Sequence, residues 1–435
     1  MKNWLLLIPV LFVLSCKSPA EKEEIRQLNK LAEDYVHLGL TIGQYDESFV
    51  DAYYGPDSLK PKQAPGEDFP KDSLLASVNE LTNALGNLSH ASTIDSNKMR
   101  ANWMYDQLMA FSRRIRIASG EYESFDDESK QLFGVVAPEY NEDYFKAYIE
   151  QLDSILPGRG NVNDRFQKLA RQFVIPKDKL ETVMNAAIAE ARKRTKAHYQ
   201  LPANESLTLE FVTDKPWTGY NWYKGNYKSV VQINTDTKAY IDRAVDVGSH
   251  ESYPGHHVYN MMLEKNLYHD RGWVELSLYP LFSPQSLIAE GSANYGVELA
   301  FPGNDKLNFT KTKLMPLAGL DTTGIDVYFK ALAIKAKLNY IRNEVARGLI
   351  NDTMSRSKAL SWLRKYGLMS DEVAEKSLDF IKKNRSYVIN YNYGMDLMKN
   401  YVEQQGGTAK NPQKRWEIFG RLLSNEVSPA SVVKH

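Results

Sequence analysis

Residues Val247–Asn260 read "VGSHESYPGHHVYN". A histidine followed at once by a glutamate begins the H-E-x-x-H pattern. There the two imidazoles stand four residues apart, about 400° around a helix, and therefore side by side. Position 254, where the second histidine would fall, holds proline. On an unbroken helix the partner of His250 would be His257, because seven residues turn through about 700°, close to two full turns. The helix cannot continue unbroken, however. Pro254 lacks the amide hydrogen that would bond the carbonyl of His250, and Gly255 opens backbone angles closed to other residues. An irregular turn over residues 252–255 would bring His256 back beside His250 instead, so the residues alone leave both partners open.

Outward from this stretch, the chain changes period twice. "SLTLEFV" (Ser206–Val212) and "KSVVQIN" (Lys228–Asn234) are short, apolar or β-branched, and bounded by turn residues, which predicts strands. From Thr237 the spacing of Tyr240, Ala244 and Val247 predicts a helix ending near Glu251. Before this core, Leu28, Leu31, Tyr35 and Leu38 form a stripe at spacings of three and four, and further helices are expected over 74–85, 98–117 and 177–196. After residue 273 the chain reads as helical again, and 326–350 is its longest amphipathic segment. The expected architecture is mainly α with a small sheet beside the helix that carries His250. Its parts are a leader (1–15), a tether (16–24), an N-terminal helical region (25–200), a core (201–300) and a C-terminal helical region (301–435), with 25–435 acceptable as one unit.

The N-terminus bounds location. "WLLLIPVLFVL" (Trp4–Leu14) follows one lysine and falls short of the ~20 apolar residues that span a bilayer, so it reads as a signal-peptide core. It runs into Ser15 and Cys16, the single cysteine among 435 residues. "VLSC" resembles a bacterial lipobox, which implies that Cys16 is lipidated and tethers the chain to the cell envelope, outer membrane included. Lysine plus arginine equals aspartate plus glutamate at 54 each, so charge recommends neither nucleic acid nor an anionic surface as a partner.

"HESYPGHH" resembles the H-E-x-x-P-G-H motif of the bacterial domain-of-unknown-function 885 family, which is allied with gluzincin metallopeptidases. A second island, "LIAEGSANYGVELAFPG" (Leu287–Gly303), is similar to that family's E-G-x-A-x-Y signature. "WYKGNYKSVVQIN" and "NYNYG" resemble two further elements, the latter at Tyr391 and Gly394. The resemblance implies a gluzincin-like helical fold and Zn2+ held by His250, His256 and Glu290, with His257 the runner-up ligand. It also implies Glu251 as general base, Tyr391 (or its neighbour Tyr393) as oxyanion donor, and a peptide as substrate. Ser292 and Tyr259 depart from the usual family residues, which suggests an altered pocket lining. "KSVVQIN" is expected to offer a strand edge to an extended peptide, and the aromatics of 215–227 to line subsites. A non-enzymatic envelope lipoprotein that binds carbohydrate or another envelope ligand is the alternative. An intact glutamate beside an open metal position favours the hydrolase.

Overall fold

The computed structural model describes residues 18–215 and 217–433, so the leader and Cys16 lie outside the described residues. It is mainly helical with two small sheets. Three long N-terminal helices, Pro19–Tyr45, Lys71–Ala91 and Asp95–Ala118, match the periodic segments and overrun their expected ends by several residues. Apolar residues that recur every three or four positions give each helix a buried stripe. Leu28, Tyr35 and Ile42 of the first pack against Phe111 and its neighbours in one continuous core that runs on to Val432. No helix among the described residues is long and apolar enough to cross a membrane.

The larger sheet contains both expected strands, β2 (Ser206–Val212) and β4 (Lys228–Asn234), with β3 (Gly219–Tyr223) between them in sequence. In space the order is β2–β4–β3: β4 pairs parallel with β2 and antiparallel with β3. This corrects one expectation. Strand β4 is central and has no free edge, and the edge nearest the His250 helix belongs to β3. Sequence reading missed β3 because glycine and asparagine interrupt its aromatics. Its alternation places Asn221 and Tyr223 inward while Trp217, Tyr220 and Trp222 stack along the other side. The smaller sheet joins β1 (Val50–Tyr53) to β5 (Leu278–Pro280), two strands too short to show a period.

One backbone contact fixes two of the helices around the site. A Cβ on Gly291 would lie 2.4 Å from the carbonyl oxygen of Gly394. The Pro284–Ala300 and Ile389–Gln404 helices therefore touch main chain to main chain, which only glycine on both sides permits. The glycines after Glu290 and after Tyr391 are thus one packing device, and it brings those two residues to the same place. The 326–350 segment is not one helix. It is Ile325–Lys337, a tight turn over Leu338–Tyr340, and Ile341–Ile350.

Candidate metal centre

His250 is the penultimate residue of the Ile241–Glu251 helix, and His256 opens the His256–Leu263 helix. Between them the chain turns sharply: the Gly255 amide donates to Ser249 O at 3.2 Å, and a Cβ at position 255 would meet His250 O at 1.8 Å. No residue but glycine fits that approach. His250 Nε2 and His256 Nε2 face each other at 3.1 Å, and Glu290 Oε2 lies 3.2 Å from the first and 3.7 Å from the second. Among the described residues this is the group of three whose ligand atoms could hold a metal ion. Four donors around zinc at tetrahedral angles and bond lengths near 2 Å stand about 3.3 Å apart. The observed triangle has that size.

Hydrogen bonding prepares each atom. His250 Nδ1 lies 3.1 Å from Asn294 Oδ1, while the Asn294 amide donates to Tyr391 O at 2.9 Å. The amide oxygen therefore faces the ring and accepts a hydrogen bond from Nδ1–H, which turns Nε2 toward the centre. Tyr387 OH donates to Glu290 Oε1 at 2.9 Å, whereas the buried Oε2 has no hydrogen-bond partner. An orphaned buried carboxylate oxygen beside two imidazole nitrogens suits a cation, so the donor set fits a zinc ion. Burial opposes a charge on His256, but Glu290, Glu251 and Asp51 outweigh it and raise its pKa to about 9. Burial likewise opposes the Glu290 carboxylate, yet the two histidines hold its pKa well below the usual range.

Glu251 points into the same space. Its Oε1 would touch a Cβ on Gly219 at 3.3 Å, and its carbonyl accepts from Asn221 Nδ2 at 2.7 Å, which ties the helix end to β3. Burial raises the Glu251 carboxyl pKa, against the lowering effect of His250 and His256. Tyr391 is raised well above an ordinary phenol, by burial first and then by Glu290 and Glu251, so its hydroxyl stays a donor. Burial and then Asp396 raise the Tyr393 pKa, with no part from the site carboxylates.

His257 is placed elsewhere. Its Nδ1 lies 2.8 Å from Ser229 Oγ and its Nε2 3.2 Å from Glu205 Oε2, and the ring is fully buried. Ser292 and Tyr259 are enclosed as well; Ser292 Oγ donates to Ala289 O at 3.1 Å, so packing explains these two departures better than pocket lining does. Sequence reading missed Tyr387, Asn294 and Asp51. The first two carried a signal, since each stands four residues from a named residue: Asn294 one turn after Glu290 on the same helix, and Tyr387 in the Arg385–Val388 3-10 turn that leads into the helix of Tyr391. Asp51 had none. It reaches the site from β1, bonded to Tyr220 OH, and burial lifts its pKa to about 6.

No protein-family model matches the chain, and comparison with curated proteins finds no match. Solved structures do resemble it. A candidate lipoprotein of Colwellia psychrerythraea superposes with a TM-score of 0.53 at 13% identity, over 83% of this chain and 68% of that one. The chain shares that fold. Looser overlaps are with the M32 carboxypeptidase of Deinococcus radiodurans R1, at TM-score 0.46 and 10% identity over 95% of each chain, and with a candidate lipoprotein of unknown function from Shewanella oneidensis. The latter reaches TM-score 0.45 at 10% identity over 82% of this chain and 73% of that one.

Proposed function

We propose that the protein is a zinc-dependent peptide hydrolase of gluzincin type, a relative of the domain-of-unknown-function 885 proteins, anchored to the bacterial envelope through Cys16. The observation that carries this reading is the orphaned Glu290 Oε2, which closes a triangle with the Nε2 atoms of His250 and His256. In this reading His250, His256 and Glu290 hold the metal. Zinc bound there would polarise a carbonyl and acidify a water.

The remaining work falls to the chain's own residues. Glu251 takes the proton from the attacking water; its raised pKa makes it a stronger base than a surface carboxylate. Tyr391, kept protonated, donates to the oxygen on which charge develops. Tyr387 holds Glu290 by one oxygen so that the other stays free. The edge of β3, unpaired among the described residues, lies beside Glu251 and can receive an extended backbone, which favours a peptide as substrate.

Two measurements test the reading on the mature protein. Elemental analysis should find near-stoichiometric zinc in both wild type and Glu251→Gln, while hydrolysis of a mixed peptide library falls by about 10²- to 10⁴-fold in the variant. Turnover that survives in Glu251→Gln, or zinc that cannot be loaded, overturns it. Metabolic labelling with a fatty-acid analogue should mark the wild type and not Cys16→Ser.

A further inference from the structure

The larger sheet has a solvent side that the hydrolase reading leaves without a task. Thr208, Glu210 and Lys228, all exposed, mark that side on β2 and β4. The register aligns Tyr220 with Gln232 and Trp222 with Val230, so both rings share it. Three partly exposed aromatics run along this side, with ring centroids 5.5 Å apart from Trp217 to Tyr220 and 4.6 Å apart from Tyr220 to Trp222. The polar atoms of the last two are already engaged. Trp222 Nε1 donates to Gln232 Oε1 at 2.9 Å, Gln232 Nε2 donates to Glu210 at 2.8 Å, and Tyr220 OH donates to Asp51. These two residues therefore offer a ligand the faces of rings held in place, not hydrogen-bond donors.

The backbone of β3 fixes how a bound chain meets these rings. Asn234 N donates to Thr218 O and Lys224 N donates to Lys228 O, each at 2.9 Å. Backbone groups of an antiparallel strand alternate in direction, so Tyr220 and Trp222 address β4, while Gly219 and Asn221 address the edge that has no strand partner among the described residues. An extended peptide added there pairs through Gly219 and Asn221, and residues directly opposite on paired strands carry their side chains on one face. Side chains across from Gly219 and Asn221 turn to the side of the Ile241–Glu251 helix. That side is closed: a Cβ on Gly219 would lie 2.5 Å from Val247 Cγ1, and Asn221 Nδ2 donates to Glu251 O at 2.7 Å. Side chains across from Tyr220 and Trp222 turn to the rings. Glu251 Oε1 is 3.3 Å from that same Cβ position on Gly219, so the residue across from Tyr220 is next to the one that passes Glu251.

We propose that Tyr220 and Trp222 form a paired subsite for two aromatic side chains of an extended peptide, two residues apart, the first beside the scissile bond. That the peptide is cut there rests on the hydrolase reading; the alternation rests on β3 alone. Ring on ring adds an aromatic contact to the area that each side chain buries. A sugar suits these two rings less, because its hydroxyls want partners and Gln232, Glu210 and Asp51 are already spoken for along the strip.

The test is binding, measured by calorimetry on the mature Glu251→Gln protein with zinc added, so that no turnover intervenes. The probes are two hexapeptides of identical composition, blocked at both ends: one carries phenylalanine at its third and fifth residues, the other at its third and fourth. Hydrophobicity is the same in both, so only the face reached by the second ring differs. The alternating peptide should bind about 10-fold tighter. That ratio should collapse toward one with Trp222→Thr, a residue suited to an exposed strand position, and survive in part with Trp222→Phe. A structural loss would instead weaken both peptides by the same factor and keep the ratio, which overturns the proposal. Equal binding of the two peptides to the parent protein overturns it as well, as does no binding of either. Diacetylchitobiose is the third probe, and binding of that disaccharide lost with Trp222→Thr, without any peptide preference, assigns the rings to a sugar and rejects the subsite. Failure of the two ideas is separable: preference without hydrolysis in the wild type sinks the peptidase and leaves the subsite, and hydrolysis without preference does the reverse.

Discussion

His256 and His257 are neighbours in sequence, and each faces a buried glutamate, yet the two clusters are built on opposite plans. Around His257 everything is paired: Ser229 and Glu205 take its two nitrogens, and Glu205 also accepts from Tyr253 OH at 2.7 Å and from Arg192. Around His256 the groups are gathered but incomplete, with two imidazole nitrogens 3.1 Å apart and a carboxylate oxygen without a hydrogen-bond partner turned toward one point. The difference teaches how to tell a structural histidine from a candidate metal ligand. Both are buried and both sit beside a carboxylate, so burial and charge do not separate them; completeness of hydrogen bonding does. Asn221 connects the two, accepting from Ser229 Oγ at 3.2 Å and donating to the Glu251 carbonyl, so the finished cluster braces the unfinished one.

The largest expected contrast is in metal. His256→Ala should lose stoichiometric zinc and with it all measurable hydrolysis, whereas His257→Ala should keep zinc in whatever fraction remains folded. Elemental analysis of both purified variants breaks the comparison if the losses are equal. Next comes stability. Glu205→Ala leaves the buried His257 and Tyr253 without their carboxylate partner and the partly exposed Arg192 without its counter-charge, and should cost about 3 kcal/mol in urea unfolding, without lowering the zinc content of the folded protein.

The same cluster sets an acid limit. Burial pushes the Glu205 carboxyl up, but hydrogen bonds from His257, Tyr253 and Arg192 win and hold it at about 2, below the unfolded value of 4.5. Its contribution to stability is therefore full above pH 4.5 and is lost as pH falls from there toward 2, an effect of roughly 3 kcal/mol. Unfolding curves of Glu205→Gln against pH should lack this component, and an unchanged acid limb would remove Glu205 from the account. The smallest effect is expected at Tyr387→Phe. It frees Glu290 Oε1 but leaves all three candidate ligands, and zinc affinity in a chelator competition should fall about 10-fold, with little change in melting temperature.

Much of this site was legible as a pattern. Pro254 and Gly255 announce a broken helix, and the two glycines at 291 and 394 mark positions where a side chain is not tolerated. Strands β2 and β4 showed their apolar runs in full. What stayed hidden did so for physical reasons. Strands β1 and β5 are three or four residues long and carry no period. Strand β3 is held by Asn221 and Tyr223 reaching partners far along the chain. Nothing local distinguishes Asp51 from any surface aspartate. The parallel pairing of β2 with β4, which puts β3 rather than β4 at the edge, depends on a crossover that residue types do not encode.

By itself, then, the sequence determined a mainly helical chain and the break after Glu251, because periodicity, proline and glycine act through the local backbone, while the short list of candidate metal ligands followed from the family resemblance of its two motifs. It left open whether His256 or His257 turns toward His250, since both follow the same break and differ by only about 100° in direction on a helix. Tertiary structure alone decided that choice. The backbone contact at Gly255 and the meeting of Gly291 with Gly394 orient the helices that bring Glu290 to His256, while Ser229 and Glu205 claim His257 from the other side.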